Sequence, residues 1–156
     1  MVKALRTALQ TFISDANADE TNPPFKTVRA YHGELLPDRM KKDRRLTFPA
    51  CLVYFPEGVV TVTDAARLNR DGNHRVQLVI LIPADTTQEK TADKIDDLEE
   101  WLVNRMIEKR LITDGSNAYQ FGTDIQYSTI YAGMSENQVI VAGLLEFSLS
   151  TPNWKA

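Results

Sequence analysis

Apolar residues recur at Val2, Leu5, Leu9, Phe12 and Ile13, steps of three and four that place them on one helical face. The spacing predicts an amphipathic helix over the first turns of the chain. Residues 16–24 are rich in Asn, Asp and Thr and contain the pair Pro23-Pro24, which cannot continue a helix and marks a loop. A short strand is read over 25–31, followed by a polar, charged loop over 33–45 around Pro37. The β-branched and aromatic stretches 47–55 and 58–68, separated by Pro56-Glu57-Gly58, read as a hairpin. Asp71-Gly72 supplies a second turn, after which 75–82 returns as a third antiparallel strand.

In that third strand Val76, Leu78, Ile80 and Ile82 share one face while Val79 and Leu81 share the other, so it is expected to be central. Pro83 ends it. Thr86 followed by Glu89 has the form of a capping box, and Ala92, Ile95, Leu98, Leu102 and Met106 then make the apolar stripe of a long helix, widened by Trp101. Asp114-Gly115 reads as that helix's end and a turn. Two further strands are expected over 124–132 and 138–149, joined by Met134-Ser135-Glu136-Asn137. The sum is an α+β fold: a mostly antiparallel sheet of about five strands, with an N-terminal helix and one long helix packed on one face. One domain is expected over 1–150, with 151–156 as a C-terminal tail that stays loose until something docks it.

Composition narrows the function classes. The chain has 156 residues, room for one core, and its 43% hydrophobic and 25% charged residues are ordinary for a folded domain. A net charge of −3 argues against a general nucleic-acid binder, which needs a basic excess to neutralise phosphates. A single cysteine, Cys51, allows no internal disulfide and suits a reducing compartment. The N-terminus interrupts its apolar residues with polar ones and does not read as a signal peptide; the run Leu78-Val79-Ile80-Leu81-Ile82 is far too short to span a bilayer as a helix.

Candidate chemistry is sparse. His32 and His74 are far apart and fall in no HExxH or paired Cys/His spacing, so no metal site is expected, and His74 reads as an exposed residue at a strand end. Cys51, flanked by Ala50 and Leu52, reads as a buried structural thiol. No GxSxG elbow, phosphate loop ending in Gly-Lys-Ser/Thr or GxGxxG turn occurs. Asp93, Asp96, Asp97, Glu99 and Glu100 read as the solvated side of the long helix rather than an acid/base pair. No catalytic residue and no cofactor is therefore assigned. The basic clusters Arg39, Lys41, Lys42, Arg44 and Arg45, and Arg67, Arg70 and Arg75, are read as solvated charge, with contact to DNA or an acidic protein surface as the alternative.

The run Phe48-Pro49-Ala50-Cys51-Leu52-Val53-Tyr54-Phe55 is followed by a polar hairpin and by Val79-Ile80-Leu81-Ile82-Pro83-Ala84, then by a helix carrying Leu98-Glu99-Glu100-Trp101. This order, with the late strands over 125–131 and 139–147, resembles tail terminator proteins of long-tailed bacteriophages. These are also called tail-completion or minor tail proteins, and the Mu-like phage tail proteins are near neighbours. The charged stretch 33–45 is long against that pattern. The resemblance implies a ring, expected to be a hexamer of this chain, that caps the tail tube, ends its polymerisation and provides the surface joined by the head-tail connector or neck proteins. It implies a virion tail protein assembled in the bacterial host cytoplasm, with no membrane partner and with transient contact to DNA passing through the lumen left open. Closed rings use head-to-tail interfaces, and exposed strand edges and loops suit them. Arg39, Lys41, Lys42, Arg44, Arg45, Arg67, Arg70 and Trp154 are the candidate interface or lumen contacts. Two rival readings stand beside this one: a non-enzymatic adaptor or regulatory binding module, and a small enzyme gathering His74, Asp124 and Tyr127 into a pocket.

Overall fold

The computed structural model describes residues 2–32, 46–67, 69–135 and 138–154, without the side chains of 69 and 131–135. Its elements run α1 (Lys3–Asp19), β1 (Thr27–Ala30), β2 (Ala50–Asp64), β3 (Asn69–Pro83), α2 (Gln88–Lys109), β4 (Leu111–Thr113), β5 (Ala118–Phe121), β6 (Gln126–Ser135) and β7 (Gln138–Thr151). The seven strands form one curled sheet in the order β1-β2-β3-β7-β5-β4, with β6 also paired to β7. This corrects the expected five-stranded, mostly antiparallel sheet. Beyond the two extra strands, β1 pairs with β2 in parallel, Thr27 opposite Ala50 and Ala30 opposite Val53. The additional hairpin of β4 and β5 is built from strands of three and four residues, too short to show an alternating pattern. The Asp114-Gly115 turn joins these two strands, and α2 has already ended at Lys109.

Both helices pack on one face of the sheet. Leu5, Leu9 and Ile13 of α1 and Ile95, Leu102 and Met106 of α2 join Cys51, Val53, Val76, Leu78, Ile80, Leu145, Phe147 and Leu149 in one buried cluster. Thr87 caps α2, its side chain accepting from the Lys90 amide at 3.1 Å, one residue later than the Thr86 box predicts. The opposite face is apolar too: Ala50, Leu52, Val79, Leu81, Ile140 and Ala142 are all 0% exposed, with Tyr31, Leu46, Phe48 and Leu144 packed against them. At about 25 cal/mol per Å² of apolar surface removed from water, such two-sided burial makes this the energetic centre of the fold.

The hairpin expected around Pro56-Glu57-Gly58 is absent. β2 runs straight through these residues, with its register against β3 shifting between Tyr54 and Glu57, and the chain reverses only after Asp64. A bulge on an unpaired edge tolerates Pro56, because its missing amide leaves no outward ladder bond unmade. Asp71-Gly72 likewise lies inside β3, where Gly72 pairs with Val60 on one side and Thr151 on the other. The result is one long two-stranded arm, residues 55–64 against 69–75, continuing the buried sheet.

Candidate functional site

The arm's two faces differ. On the helix face, His74 follows Val76 and lies under the end of the chain: its ring meets Trp154 at 4.7 Å and Tyr119 at 6.2 Å, both edge-on. Gly72 is required here, since a Cβ would stand 2.6 Å from His74 Nε2 and 3.1 Å from Trp154 Cε3. Arg70 lies over the Trp154 ring at 5.2 Å and donates from Nε to the Trp154 carbonyl at 3.2 Å, while the Trp154 amide donates to the Arg70 carbonyl at 2.6 Å. Asp71 accepts from the Asn153 amide at 2.8 Å. The segment read as a loose tail is therefore bound through Trp154, which is 3% exposed.

On the other face a charged row crosses the strands. Arg75 donates to Glu57 at 2.8 Å and to Glu146 at 2.6 Å, and Gln77 donates to Glu146 at 2.9 Å. The hydrogen bond from Arg75 holds the Glu146 carboxyl below its usual range. Glu57, Arg75 and Glu146, with Asn73, Asp124, Gln126 and Ser148, line an opening of about 440 Å³.

The sequence-predicted contacts are scattered. Arg39, Lys41, Lys42, Arg44 and Arg45 lie outside the described residues. Arg67 is exposed at the arm tip, 3.6 Å from Asp64. Arg70 and Trp154 are joined to each other, and Trp154 is spent on the protein's own core. His74, expected at the surface, is 2% exposed; burial lowers its pKa, and its Nε2 has no hydrogen-bond partner among the described residues. Its partners come from β5 and the C-terminus, so no local pattern announces them. His74, Asp124 and Tyr127 do not converge: His74 is under Trp154, Asp124 lines the opening on the opposite face, and Tyr127 is 76% exposed on β6. Among the described residues no group of three or more His, Cys, Asp or Glu is placed to hold a metal ion, and no helix is long and apolar enough to cross a membrane.

Two buried groups complete the inventory. Cys51 is fully buried and its thiol is pushed up to about 12 by desolvation. Glu99, expected on the solvated side of α2, is 7% exposed and points at β7, where a Cβ on Gly143 would stand 2.8 Å from its Oε1. Burial, and then the charge of Asp96, raises its pKa to about 7.

What the sheet leaves open is its edges. β1 covers the outer edge of β2 only from Ala50 to Val53, with one further bond from the Tyr31 amide to the Val53 carbonyl. Beyond Tyr54 that edge pairs with nothing among the described residues. On the other side β6, among the described residues, pairs only with β7, from Gln126 opposite Glu146 to Ser135 opposite Gln138. Residues 126–130 are all exposed, and the strand Gln-Tyr-Ser-Thr-Ile-Tyr-Ala-Gly-Met-Ser carries no charge and no proline. Soluble proteins commonly guard such edges with Lys, Pro or a covering segment, because a row of free amides and carbonyls templates another strand. The strands were legible in the sequence; that these two form edges was not.

No protein-family model matches the chain, and no curated protein matches it. A solved structure whose name states no function is similar over 100% of this chain and 99% of its own, with a TM-score of 0.57 at 14% identity. That likeness shows the fold alone.

Proposed function

We propose that this chain is a structural subunit of a phage virion tail, closing as a ring over the end of the tail tube, stopping its polymerisation and presenting the surface joined by neck proteins. The observation that carries the assembly part is the pair of edges left free among the described residues on opposite sides of one sheet, β2 beyond Tyr54 and the whole of β6. Two different patches on one subunit are what a head-to-tail contact needs, and head-to-tail contacts that close make rings. The tail assignment comes from the resemblance of the run 48–55, the strand 79–84 and the helix 98–101 to tail terminators. The lumen is proposed to pass DNA, with Arg39, Lys41, Lys42, Arg44 and Arg45 as its basic contacts.

Light scattering and negative-stain imaging of the protein, alone and with tail tubes, test this reading. The expected result is a closed ring of six on the tube end and tubes that no longer elongate. A strict monomer that also ignores tube ends overturns it. Neutralising the basic cluster is expected to change DNA retention while leaving rings intact; lost assembly of a folded variant instead places that cluster at an interface.

A further inference from the structure

The two free edges match each other in direction, face and side-chain position. β2 is antiparallel to β3, β3 to β7 and β7 to β6, so β6 runs opposite to β2 within one sheet. A second copy set beside β6, with its helix face on the same side, therefore offers its β2 in the antiparallel sense. On the arm, Val60 and Val62 oppose Gly72 and Arg70 and share the helix face with His74, while Val59 and Thr61 share the other. On β6, Tyr127 opposes Leu145 on the helix face and Ile130 opposes Ala142 on the other.

Among the described side chains each edge thus carries one exposed apolar residue per face: Val62 at 61% and Tyr127 at 76% on the helix face, Val59 at 65% and Ile130 at 40% on the other. Both pairs are spaced three residues apart, in opposite order along the chain. A single antiparallel register therefore satisfies both at once, and it sets Val60 beside Thr129 and Thr61 beside Ser128 with faces agreeing. We propose that β6 of one copy pairs with the arm of β2 in the next in this register, Val62 beside Tyr127 and Val59 beside Ile130. The inference rests on the ring reading and specifies its contact. No charge opposes it: β6 has none, and Glu57, the one charged residue between Pro56 and Asp64, is already held by Arg75 at 2.8 Å. The pairing staggers neighbours along the strands, so strands must lie inclined to the ring axis, as closing any sheet requires.

Cysteine mixing tests it, since Cys51 is fully buried and inert. Val59→Cys and Ile130→Cys are purified separately, mixed, and mildly oxidised with and without tail tubes; Val62→Cys with Tyr127→Cys is the second matched pair. The expected result is disulfide-linked dimers in each matched mixture, several-fold above either variant alone, and a ladder of higher multimers from a Val59→Cys/Ile130→Cys double variant. Val59→Cys mixed with Thr129→Cys, on opposite faces, is expected to stay at background. Dimers of Ile130→Cys or Tyr127→Cys alone, equal yield in the mismatched pair, or no cross-link in any matched mixture overturns the register. Light scattering of the unaltered protein separates the two failures. Multimers without the matched cross-link leave a ring built on other surfaces; monomers throughout, with tube ends ignored, overturn the ring itself.

Discussion

The two halves of the β2–β3 pair are one continuous ladder in different surroundings. In the first half, Ala50 to Val53 against Leu78 to Leu81, every side chain is at most 1% exposed, because helices cover one face and Tyr31, Leu46 and Phe48 pack on the other. In the second half, Glu57, Val59, Thr61, Val62 and Thr63 are exposed, and burial is confined to the line of Gly72 and His74 beneath Trp154. The same β-branched composition serves burial in one half and an outward edge in the other. Valine in a strand therefore reports a pleated surface and leaves open whether the chain itself covers that surface.

Substitutions should separate the halves sharply. Trp154→Ala removes the large side chain that packs on both His74 and Arg70, and is expected to cost about 3–5 kcal/mol, with the arm protected less against amide exchange than the base. Ile80→Ala in the base is expected to cost about 2–5 kcal/mol through its cavity. Urea unfolding of both variants checks this, and a cost for Trp154→Ala below that of a surface change would show that the arm stands without its pin. Gly72→Ala is expected to cost about 1–3 kcal/mol by forcing His74 and Trp154 apart, and to leave the base unaltered in exchange measurements.

Acidity sharpens the contrast through two buried atoms without a hydrogen-bond partner among the described residues, His74 Nε2 in the arm and Glu99 Oε1 on α2. The folded pKa of His74 is lowered from 6.5, so the unfolded chain takes the proton first, and the arm's share of stability falls as pH drops below about 6.5. The folded pKa of Glu99 is raised from 4.5 to about 7, so the fold holds that proton more tightly; its contribution is full below 4.5 and is lost as pH rises through about 7. Glu99→Gln is expected to remove the loss between 4.5 and 7 and expose the His74 limb, while His74→Phe removes the latter. Midpoint temperatures across this range decide it, and an unchanged slope in Glu99→Gln would show that Glu99 ionises freely. The smallest stability effect is expected at the arm's outer edge, where Val62→Ala should change unfolding by less than about 0.5 kcal/mol while weakening assembly, as read by light scattering.

Much of this was legible along the chain. Of the predicted stripe on α2, Ile95, Leu102 and Met106 are buried, Leu98 and Trp101 are half-buried and Ala92 is exposed; Leu5, Leu9 and Ile13 of α1 and Val76 and Leu78 to Ile82 of the central strand are buried as periodicity implies. Pro56-Glu57-Gly58 misled because turn chemistry and a bulge use the same residues, and only cross-strand pairing tells them apart. Glu99 misled because one turn of helix position decides between solvent and Gly143, and the seat exists only once β7 lies beneath α2.

Local spacing by itself determined which segments are helical and which are extended, and left open where the extended chain reverses, since helix and strand periods are properties of the backbone. Strand neighbours, edges and buried polar groups were decided by tertiary structure. They depend on contacts between residues as distant as Arg70 and Trp154, or Val79 and Leu144, and hydrogen bonding along a ladder is available to any partner. The parallel placement of β1, the pinning of Trp154 and the uncovered flanks of β2 and β6 are outcomes of that kind.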